Sequence, residues 1–466
     1  MKDQILQTLR ILRAYAIKKG VDASIFYYEE ESFLMRFANS AVSLNTNEHL
    51  VRIEITVYEG RKRASYEMIT SLSDIETMKD GIDTAAEMVK HVQPLDYTPS
   101  VKVYSENYID ESCYDDSLAH ISNEERLAYI NEAVEGLNND DIKLSGIFSC
   151  GANTTAQINT RSENIQYFKS SDAQISIVLS HAALNWEVSS EQSAQKKSDL
   201  NPLQLRSELR FLVKHYVNNT PQQLSSGRYD IVFGSAAVSE LVSIIDWIGI
   251  CGGAMKRGFS FIKEDDTGKK IFSDKFSLTD DPTRRETFPF SRDITGIVRK
   301  PFSIVENGVF RSFTWYQDDA DEFGVEATGH TVMHKSLVVH CGDKRVNTLS
   351  ELMSMPRDRD TLYIPHLHYM NIVNPSKGLI TASSRFGALL LKRDGSMAVP
   401  YNVRITQCMS DIFGDKLAWL SDKQCAYNTS VSYGARNPTA VITPKFILVN
   451  DLEISQVNLS VDKRQT

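Results

Sequence analysis

Cysteine is scarce in this sequence, and its six residues lie far apart. They occupy positions 113, 150, 251, 341, 408 and 425 of 466. None of these spacings matches a disulfide framework or a zinc ribbon. We therefore expect reduced thiols and a cytoplasmic location.

Long apolar runs are also missing. The most apolar stretch, residues 231–251, contains Glu240, Asp246 and three serines, which makes it too polar to cross a bilayer. The first twenty residues are interrupted by charge throughout and lack a small-residue cleavage site, so they predict a helix and not a signal peptide. We expect no membrane segment.

Positive charge is in deficit. The 51 Lys and Arg residues against 60 Asp and Glu give a net charge of -9. Binding to phosphates needs concentrated positive charge, and the one basic cluster, residues 61–63, is explained by a solvated hairpin turn. We expect no nucleic-acid partner.

Signatures of common catalytic sites are absent as well. The sequence contains no His-Glu-x-x-His, no Gly-x-Ser-x-Gly and no glycine-rich phosphate loop. His330 and His334 have the spacing of a helical ligand pair, but they follow a loop-like Ala-Thr-Gly and lack a carboxylate to act as general base. We interpret them as structural histidines.

What the sequence does contain predicts an α+β protein of two domains. With 466 residues, the chain exceeds what a single core usually supports. The segment 218–227 is rich in Asn, Gln, Ser, Pro and Gly and is the best candidate linker. We expect an N-terminal α+β domain over residues 1–220 and a β-rich C-terminal domain with a few helices over residues 228–466.

The first half alternates helices with half-buried antiparallel strands. Every second residue from 51 to 57 is apolar, as in a strand with one buried face. Ser73 with Glu76 and Ser122 with Glu125 have the spacing of capping boxes at helix starts. The order of helix, strand meander and helix occurs twice, which indicates a structural duplication.

The second half is predicted to be mostly antiparallel sheet, with one amphipathic helix near its start. Asn307-Gly308 and Asp394-Gly395 stand between apolar runs and predict two tight hairpins. Between Val238 and Ile248 apolar residues recur at offsets of three and four, which predicts a helix with one buried face. The glycines that follow at 252 and 253 allow close approach of another backbone, so this turn could line a peptide groove.

An ordered series of segments in the second half resembles a known family. The segments are "GGAMKRGFSF" at 252–261, "DDP" at 280–282, "IVENGVFRSFTWYQDDADEFGVEATGH" at 304–330, "MNIVNPSKGLITASSRFGALLLKRDGSMAVPYNVRI" at 370–405 and "PKFILVNDLEI" at 444–454. Together they resemble the TldD/PmbA proteins, and "RFANSAV" and "RIEITVYEGRKRASYE" in the first half resemble the family's early strands. The resemblance implies a relation to peptide-degrading and peptide-maturing metalloproteases that were once called modulators of DNA gyrase.

The resemblance implies a pair of related subunits. The family's TldD-type subunit carries His-Glu-x-x-x-His on the helix equivalent to residues 235–248 and a cysteine near the C-terminus as third zinc ligand. The PmbA-type (TldE-type) subunit lacks the histidine pair. This helix contains no histidine, so the chain is similar to the PmbA type. We expect no cofactor in this chain and zinc in a TldD-like partner; the residues that could still hold a metal are His330, His334 and Cys425.

The leading hypothesis is a non-metal-binding subunit of a cytoplasmic metallopeptidase. It would bind unfolded peptides and dimerise with a TldD-like subunit or with a second copy of itself. The alternatives are a self-sufficient metallopeptidase with unconventional ligands and a modulator of DNA gyrase without peptidase activity. The residues expected to bind peptide are Gly252, Gly253, Arg257, Ser260, Thr328, Gly329 and His330.

Overall fold

The computed structural model describes residues 1–430 and 436–457, where short groups of strands are separated by helices. No helix in these ranges is long and apolar enough to cross a membrane. The helices are α1 Lys2–Lys19, α2 Ile75–His91, α3 Asp116–Ala119, α4 Asn123–Ala133, α5 Pro202–Tyr216, α6 Ser235–Ile248, α7 Gly252–Lys256, α8 Gln317–Phe323, α9 Leu349–Ser354 and α10 Met409–Ile412.

The strands form three sheets. Those of the first half are β1 Asp22–Ala38, β2 Ala41–Glu59, β3 Lys62–Thr70, β4 Tyr108–Cys113, β5 Ile142–Asn159, β6 Gln166–His181 and β7 Trp186–Ala194. Those of the second half are β8 Gly227–Gly234, β9 Leu278–Asp280, β10 Phe302–Glu306, β11 Val309–Phe310, β12 Leu337–Val339, β13 Thr361–Ile364, β14 His366–Asn374, β15 Leu379–Arg385, β16 Leu389–Leu391, β17 Met397–Ala398, β18 Val403–Cys408, β19 Leu417–Leu420, β20 Gln424–Asn428, β21 Ala440–Pro444 and β22 Phe446–Val457.

The first half builds one seven-stranded sheet with the order β3-β2-β1-β5-β6-β4, and β7 also pairs with β6. The pairs are antiparallel except that β4 runs parallel to β6. The predicted order of helix, strand meander and helix occurs twice along the chain, and each meander has three strands. Strand β1 of the first meander pairs with β5 of the second. The two meanders therefore form one continuous sheet.

The second half builds two further sheets, and the α+β class is confirmed. One has the order β11-β10-β9-β12-β21-β20; the other has the order β14-β15-β18-β22-β8-β13-β16-β17, with β19 paired to β22. Both predicted hairpins are present: Asn307 and Gly308 turn between β10 and β11 with φ values of 47° and 81°, and Gly395, with φ of 84°, lies between β16 and β17. Strand β14 lies at an edge of its sheet.

The capping box predicted at Ser122 is present, as is one formed by Thr348 and Glu351 at the start of α9. The Ser122 hydroxyl accepts from the Glu125 N–H at 3.1 Å and starts α4. The prediction for Ser73 is wrong, because α2 is capped by Asp74, whose Oδ1 accepts from the Thr77 N–H at 3.2 Å. A carboxylate beside the positive end of the helix is a good acceptor for these free N–H groups.

The two halves share a hydrophobic core. One core lies within the first half, beneath α1 and α2, and another lies within the second half. A third core contains Phe148 and Leu209 from the first half together with Val232 and Phe446 from the second half. Side chains on both sides of the predicted linker are therefore packed together.

Arg436 anchors the second half to the first sheet. Its fully buried guanidinium lies against Asp172 on β6, with Nε 2.7 Å and Nη2 2.6 Å from Oδ1. Nη1 donates to the Ser149 hydroxyl at 2.9 Å, while the Arg436 carbonyl accepts from the Tyr28 hydroxyl and the Asn153 side-chain amide. These partners lie on the sheet face opposite α1 and α2, because side chains alternate along each strand.

We predict that Arg436→Met lowers the free energy of unfolding by about 3–5 kcal/mol, because it leaves the Asp172 carboxylate buried without its partner. Urea and thermal unfolding measure the loss. Adding Asp172→Asn to this variant should restore part of the stability by removing the buried charge.

The control is Arg228→Met, which removes a solvent-exposed ion pair with Asp451 at 2.7 Å. Its expected cost is below about 1 kcal/mol. Equal losses for the two variants would contradict a special role for Arg436.

Candidate functional site

Helix α6 carries a buried face and a polar face. Its buried side runs from Ala236 to Ile248 and packs in the core of the second half. The helix begins after Gly234, so Ser235 is its first residue and not its cap. The other side presents Asp246 and Trp247 near the C-terminal end, and 67% of the Trp247 surface is exposed.

A cavity of about 760 Å³ lies beside the last turn of α6, and we call it the α6 cavity. Its walls combine an acidic group, a phenol, a thiol and apolar surface, and Ile372 belongs to the edge strand β14. The lining residues that matter below are Asp246, Trp247, Cys251, Arg257, Phe259, Tyr316 and Ile372.

A buried lysine lies behind the polar wall of the α6 cavity. Lys335 Nζ is 2.7 Å from Asp246 Oδ1 and donates to the Tyr316 hydroxyl at 2.7 Å, and its side chain is only 2% exposed. Burial by itself would lower the pKa of Lys335, but the Asp246 carboxylate and the Tyr316 hydroxyl outweigh burial and raise that pKa. Lys335 is therefore a fixed cation at neutral pH and cannot act as a base.

The remaining reactive groups of the cavity are held in their unreactive states. Burial raises the pKa of the Cys251 thiol, so the nucleophilic thiolate is disfavoured. Burial also raises the pKa of Tyr316, although Lys335 opposes the shift. This chemistry suits binding better than nucleophilic catalysis.

Gly252 and Gly253 are required by packing within the chain itself. A Cβ atom at Gly252 would lie 2.4 Å from the Trp315 ring, and one at Gly253 would lie 2.1 Å from the Asp319 carboxylate. Asp319 in turn accepts from Arg257 at 2.8 Å. The sequence predicts that another backbone approaches these glycines. In the structure, the side chains of Trp315 and Asp319 from the same chain occupy that space.

The other residues expected to bind peptide also have partners within the chain. The buried Ser260 hydroxyl donates to the Gly249 carbonyl at 2.9 Å and accepts from the Ile262 N–H at 3.1 Å. Thr328 Oγ1 accepts from the Trp315 N–H at 2.7 Å. Next to it, Gly329 adopts a positive φ of 77°.

His330 belongs to a buried ionic cluster. Its Nε2 lies 3.1 Å from Asp280 Oδ2, and Arg299 Nη2 lies 2.7 Å from the same carboxylate. Burial would raise the pKa of Asp280, but His330 and Arg299 outweigh burial and lower it far below its ordinary value. Of the seven residues expected to bind peptide, Arg257 is the one that lines the α6 cavity.

His330, His334 and Cys425 do not converge on one point. His334 Nε2 donates to the Phe288 carbonyl at 2.9 Å, and Cys425 lies on the edge strand β20. Within residues 1–430 and 436–457, one group of three possible ligands has its atoms within 4.8 Å of one another, and it lies in the first half of the chain. The described structure therefore shows no three-ligand site built from these residues.

No sequence signal predicts the pairing of Asp246 with Lys335, because the two are far apart in the chain and neither belongs to a motif. Trp247 could have been found, since a tryptophan on the polar side of an amphipathic helix is unusual in a core helix.

Residues 226–456 match the family model described as "PmbA/TldA metallopeptidase C-terminal domain". This C-terminal part of the chain therefore belongs to the TldD/PmbA family. A "Metalloprotease PmbA homolog" of Haemophilus influenzae is 29% identical over 113 residues, which span 24% of this chain and 24% of that protein.

Two solved structures share the fold along almost the whole chain. TldE from Thermococcus kodakarensis has a TM-score of 0.79 at 17% identity, covering 97% of this chain and 100% of its own. A Thermotoga maritima protein described as a modulator of a DNA gyrase has a TM-score of 0.75 at 17% identity, covering 96% and 99%. At this level of identity the likeness establishes the architecture.

We predict that His334 makes folding sensitive to acid. Burial lowers its pKa to about 4 in the folded chain, against 6.5 ordinarily. Between these values the unfolded chain binds the proton and the folded chain does not, so stability falls as pH drops from 6.5 to 4. Because the residue as a whole is only partly buried, which weakens the effect of burial, we expect His334 to contribute roughly 2 kcal/mol to this fall.

Urea unfolding at pH 7 and pH 4.5 measures the effect, with His334→Asn losing less stability on acidification than the unsubstituted chain. The exposed His340 supplies the control variant, His340→Asn. Identical pH profiles for all three proteins would contradict the prediction.

Proposed function

We propose that this chain is the peptide-binding subunit of a cytoplasmic metallopeptidase whose catalytic zinc is held by a TldD-like partner. The main support is the α6 cavity: the helix beside it has no histidine, and its lysine and cysteine are held in unreactive states. A site of this kind can hold an unfolded peptide without cleaving it.

Edge strand β14 offers the backbone groups that such a peptide needs. In the described part of the chain β14 pairs with β15 on one side and has no strand on the other. An extended peptide can add to a free edge through main-chain hydrogen bonds, while adjacent pockets receive alternate side chains. Strand β14 is therefore the proposed docking strand.

Two cavities flank this strand. Ile372 lines the α6 cavity, whereas His368 and Tyr369 line a second cavity of about 570 Å³. Arg385 and Arg404 also line the second cavity, which favours an acidic side chain or a terminal carboxylate there. The α6 cavity, with its exposed Trp247 and Phe259, favours an apolar side chain.

The absence of histidine from α6 also bears on which partner the chain requires. A second copy of this chain would bring a second α6 without histidine, so a homodimer would bind peptide without supplying the family's zinc motif. We infer that hydrolysis requires a TldD-like subunit.

We expect Trp247→Ala to weaken binding of a labelled unfolded peptide about tenfold, because large exposed aromatic residues dominate binding surfaces. Fluorescence anisotropy with a permanently unfolded peptide measures the affinity. Ile69→Ala is the matched control, since Ile69 is 64% exposed and lies on β3 in the first sheet. Equal affinities for the two variants would exclude the α6 cavity as the binding surface.

A peptidase assay tests the assignment of subunits. The isolated chain should leave the peptide intact, and the complex with a co-purified TldD-like subunit should cleave it in a chelator-sensitive manner. Hydrolysis by the isolated chain that is lost in His330→Ala would overturn the proposal in favour of a self-sufficient metallopeptidase.

A further inference from the structure

Two glutamates interrupt the apolar face of the first sheet. On β1, Ile25 and Tyr27 pack in the core beneath α1 and α2, and Met35 and Phe37 pack in the next core along the strand. Glu29 and Glu31 share their strand face, because side chains alternate. The carboxylates therefore lie in the seam between two cores, where apolar side chains would be expected.

A histidine on the neighbouring strand meets both carboxylates. His49 on β2 is the register partner of Glu31, and its Nε2 lies 2.8 Å from Glu29 Oε1. The ligand atoms of Glu29, Glu31 and His49 all lie within 4.8 Å of one another. Ligands of a tetrahedral metal are about 3.3 Å apart when each bond is about 2.0–2.1 Å, so small side-chain movements would suffice.

A second imidazole approaches from α3. His120, immediately after that helix, has its Nε2 3.3 Å from Glu31 Oε2. Its Nδ1 lies 3.2 Å from the Asp116 backbone carbonyl, and its ring meets Phe33 edge-on at 5.9 Å. If Nδ1 donates to that carbonyl, the lone pair of Nε2 faces Glu31, which is the arrangement that metal-binding histidines commonly show.

The carboxylates lack a permanent counter-charge. Among the described residues, the ion-pair partner of Glu29 is His49 and that of Glu31 is His120, with no lysine or arginine on either. Glu30, which points to the opposite face, lies 3.9 Å from Arg52. Two carboxylates, one buried and one partly buried, that face imidazoles in place of lysine or arginine favour a bound cation.

The buried Tyr27 hydroxyl beside the cluster interacts with Glu29 without forming a hydrogen bond of normal geometry. Tyr27 is completely buried, two residues before Glu29 on the same strand face, and its hydroxyl forms no hydrogen bond of normal geometry within the described residues. It could donate to the carboxylate oxygen of Glu29 that a metal leaves free.

We propose that Glu29, Glu31, His49 and His120 form a binding site for a divalent transition-metal ion, with Zn²⁺ as the best fit. Two imidazoles and two carboxylates match the ligand preference of zinc, whereas calcium and magnesium prefer oxygen ligands alone. The bound ion links Glu29 and Glu31 on β1 and His49 on β2 to His120 at the end of α3. This site shares no residue with the α6 cavity and does not depend on the proposed function.

The test uses the full chain, stripped with EDTA and dialysed, and titrated with Zn²⁺ in a calorimeter. We expect one equivalent to bind, and His49→Gln and Glu31→Gln each to weaken binding at least tenfold. His91→Gln is the matched control, because His91 forms a similar pair with Glu87, at 3.1 Å, but has no second carboxylate. It should bind as the unsubstituted chain does.

Absence of one-equivalent binding in the unsubstituted chain would overturn the proposal. So would affinity that stays unchanged in His49→Gln, because the metal would then be held elsewhere, for example by His334 or Cys425. The His49 side chain is 55% exposed, so this variant should fold, and circular dichroism checks that it does. His49→Gln therefore decides the outcome even if Glu31→Gln fails to fold.

Discussion

The buried pair of Arg436 and Asp172 is the constraint on which the relation between the two halves depends. Asp172 lies on the first sheet, whereas Arg436 belongs to the segment between β20 and β21. Helix α6 packs against both of these strands. Because Arg436 lies between these two strands, its ion pair with Asp172 also fixes the position of α6 relative to the first sheet. A buried ion pair needs correct geometry to offset desolvation, so it tolerates few alternative arrangements.

The α6 helix has one side that packs in the core and another side that is polar. Its apolar side fills the core of the second half, and this requirement alone explains why the helix forms there. Its polar side is free of that requirement and presents Asp246, which Lys335 neutralises from within. A neutralised wall beside exposed aromatic surface suits binding better than nucleophilic attack.

The buried carboxylate clusters of the first sheet and of the Asp280 region differ in the cation that faces them. The clusters around Asp172 and Asp280 each contain an arginine, so their charges are balanced by the chain itself. The cluster around Glu29 and Glu31 has imidazoles in place of arginine. Imidazole is neutral over much of the physiological range, and it is also a metal ligand. A buried carboxylate that is paired with arginine forms a structural ion pair, whereas carboxylates that face imidazoles form a candidate metal centre.

The sequence by itself determined the local structure and the family. Alternation at 51–57, the glycine turns at 308 and 395 and the Ser122 cap depend on neighbouring residues, and all are present. The Ser73 cap failed because Asp74, one residue later, made the hydrogen bond. Even there the error is local.

Only the tertiary structure decided which distant side chains meet. It placed Lys335 against Asp246, filled the space beside Gly252 and Gly253 with the chain's own side chains, and brought His120 to Glu31. Each of these contacts joins residues from different elements, whose relative positions are set by sheet order and core packing. A one-dimensional pattern records which face of an element is apolar, but it does not record which other element covers that face.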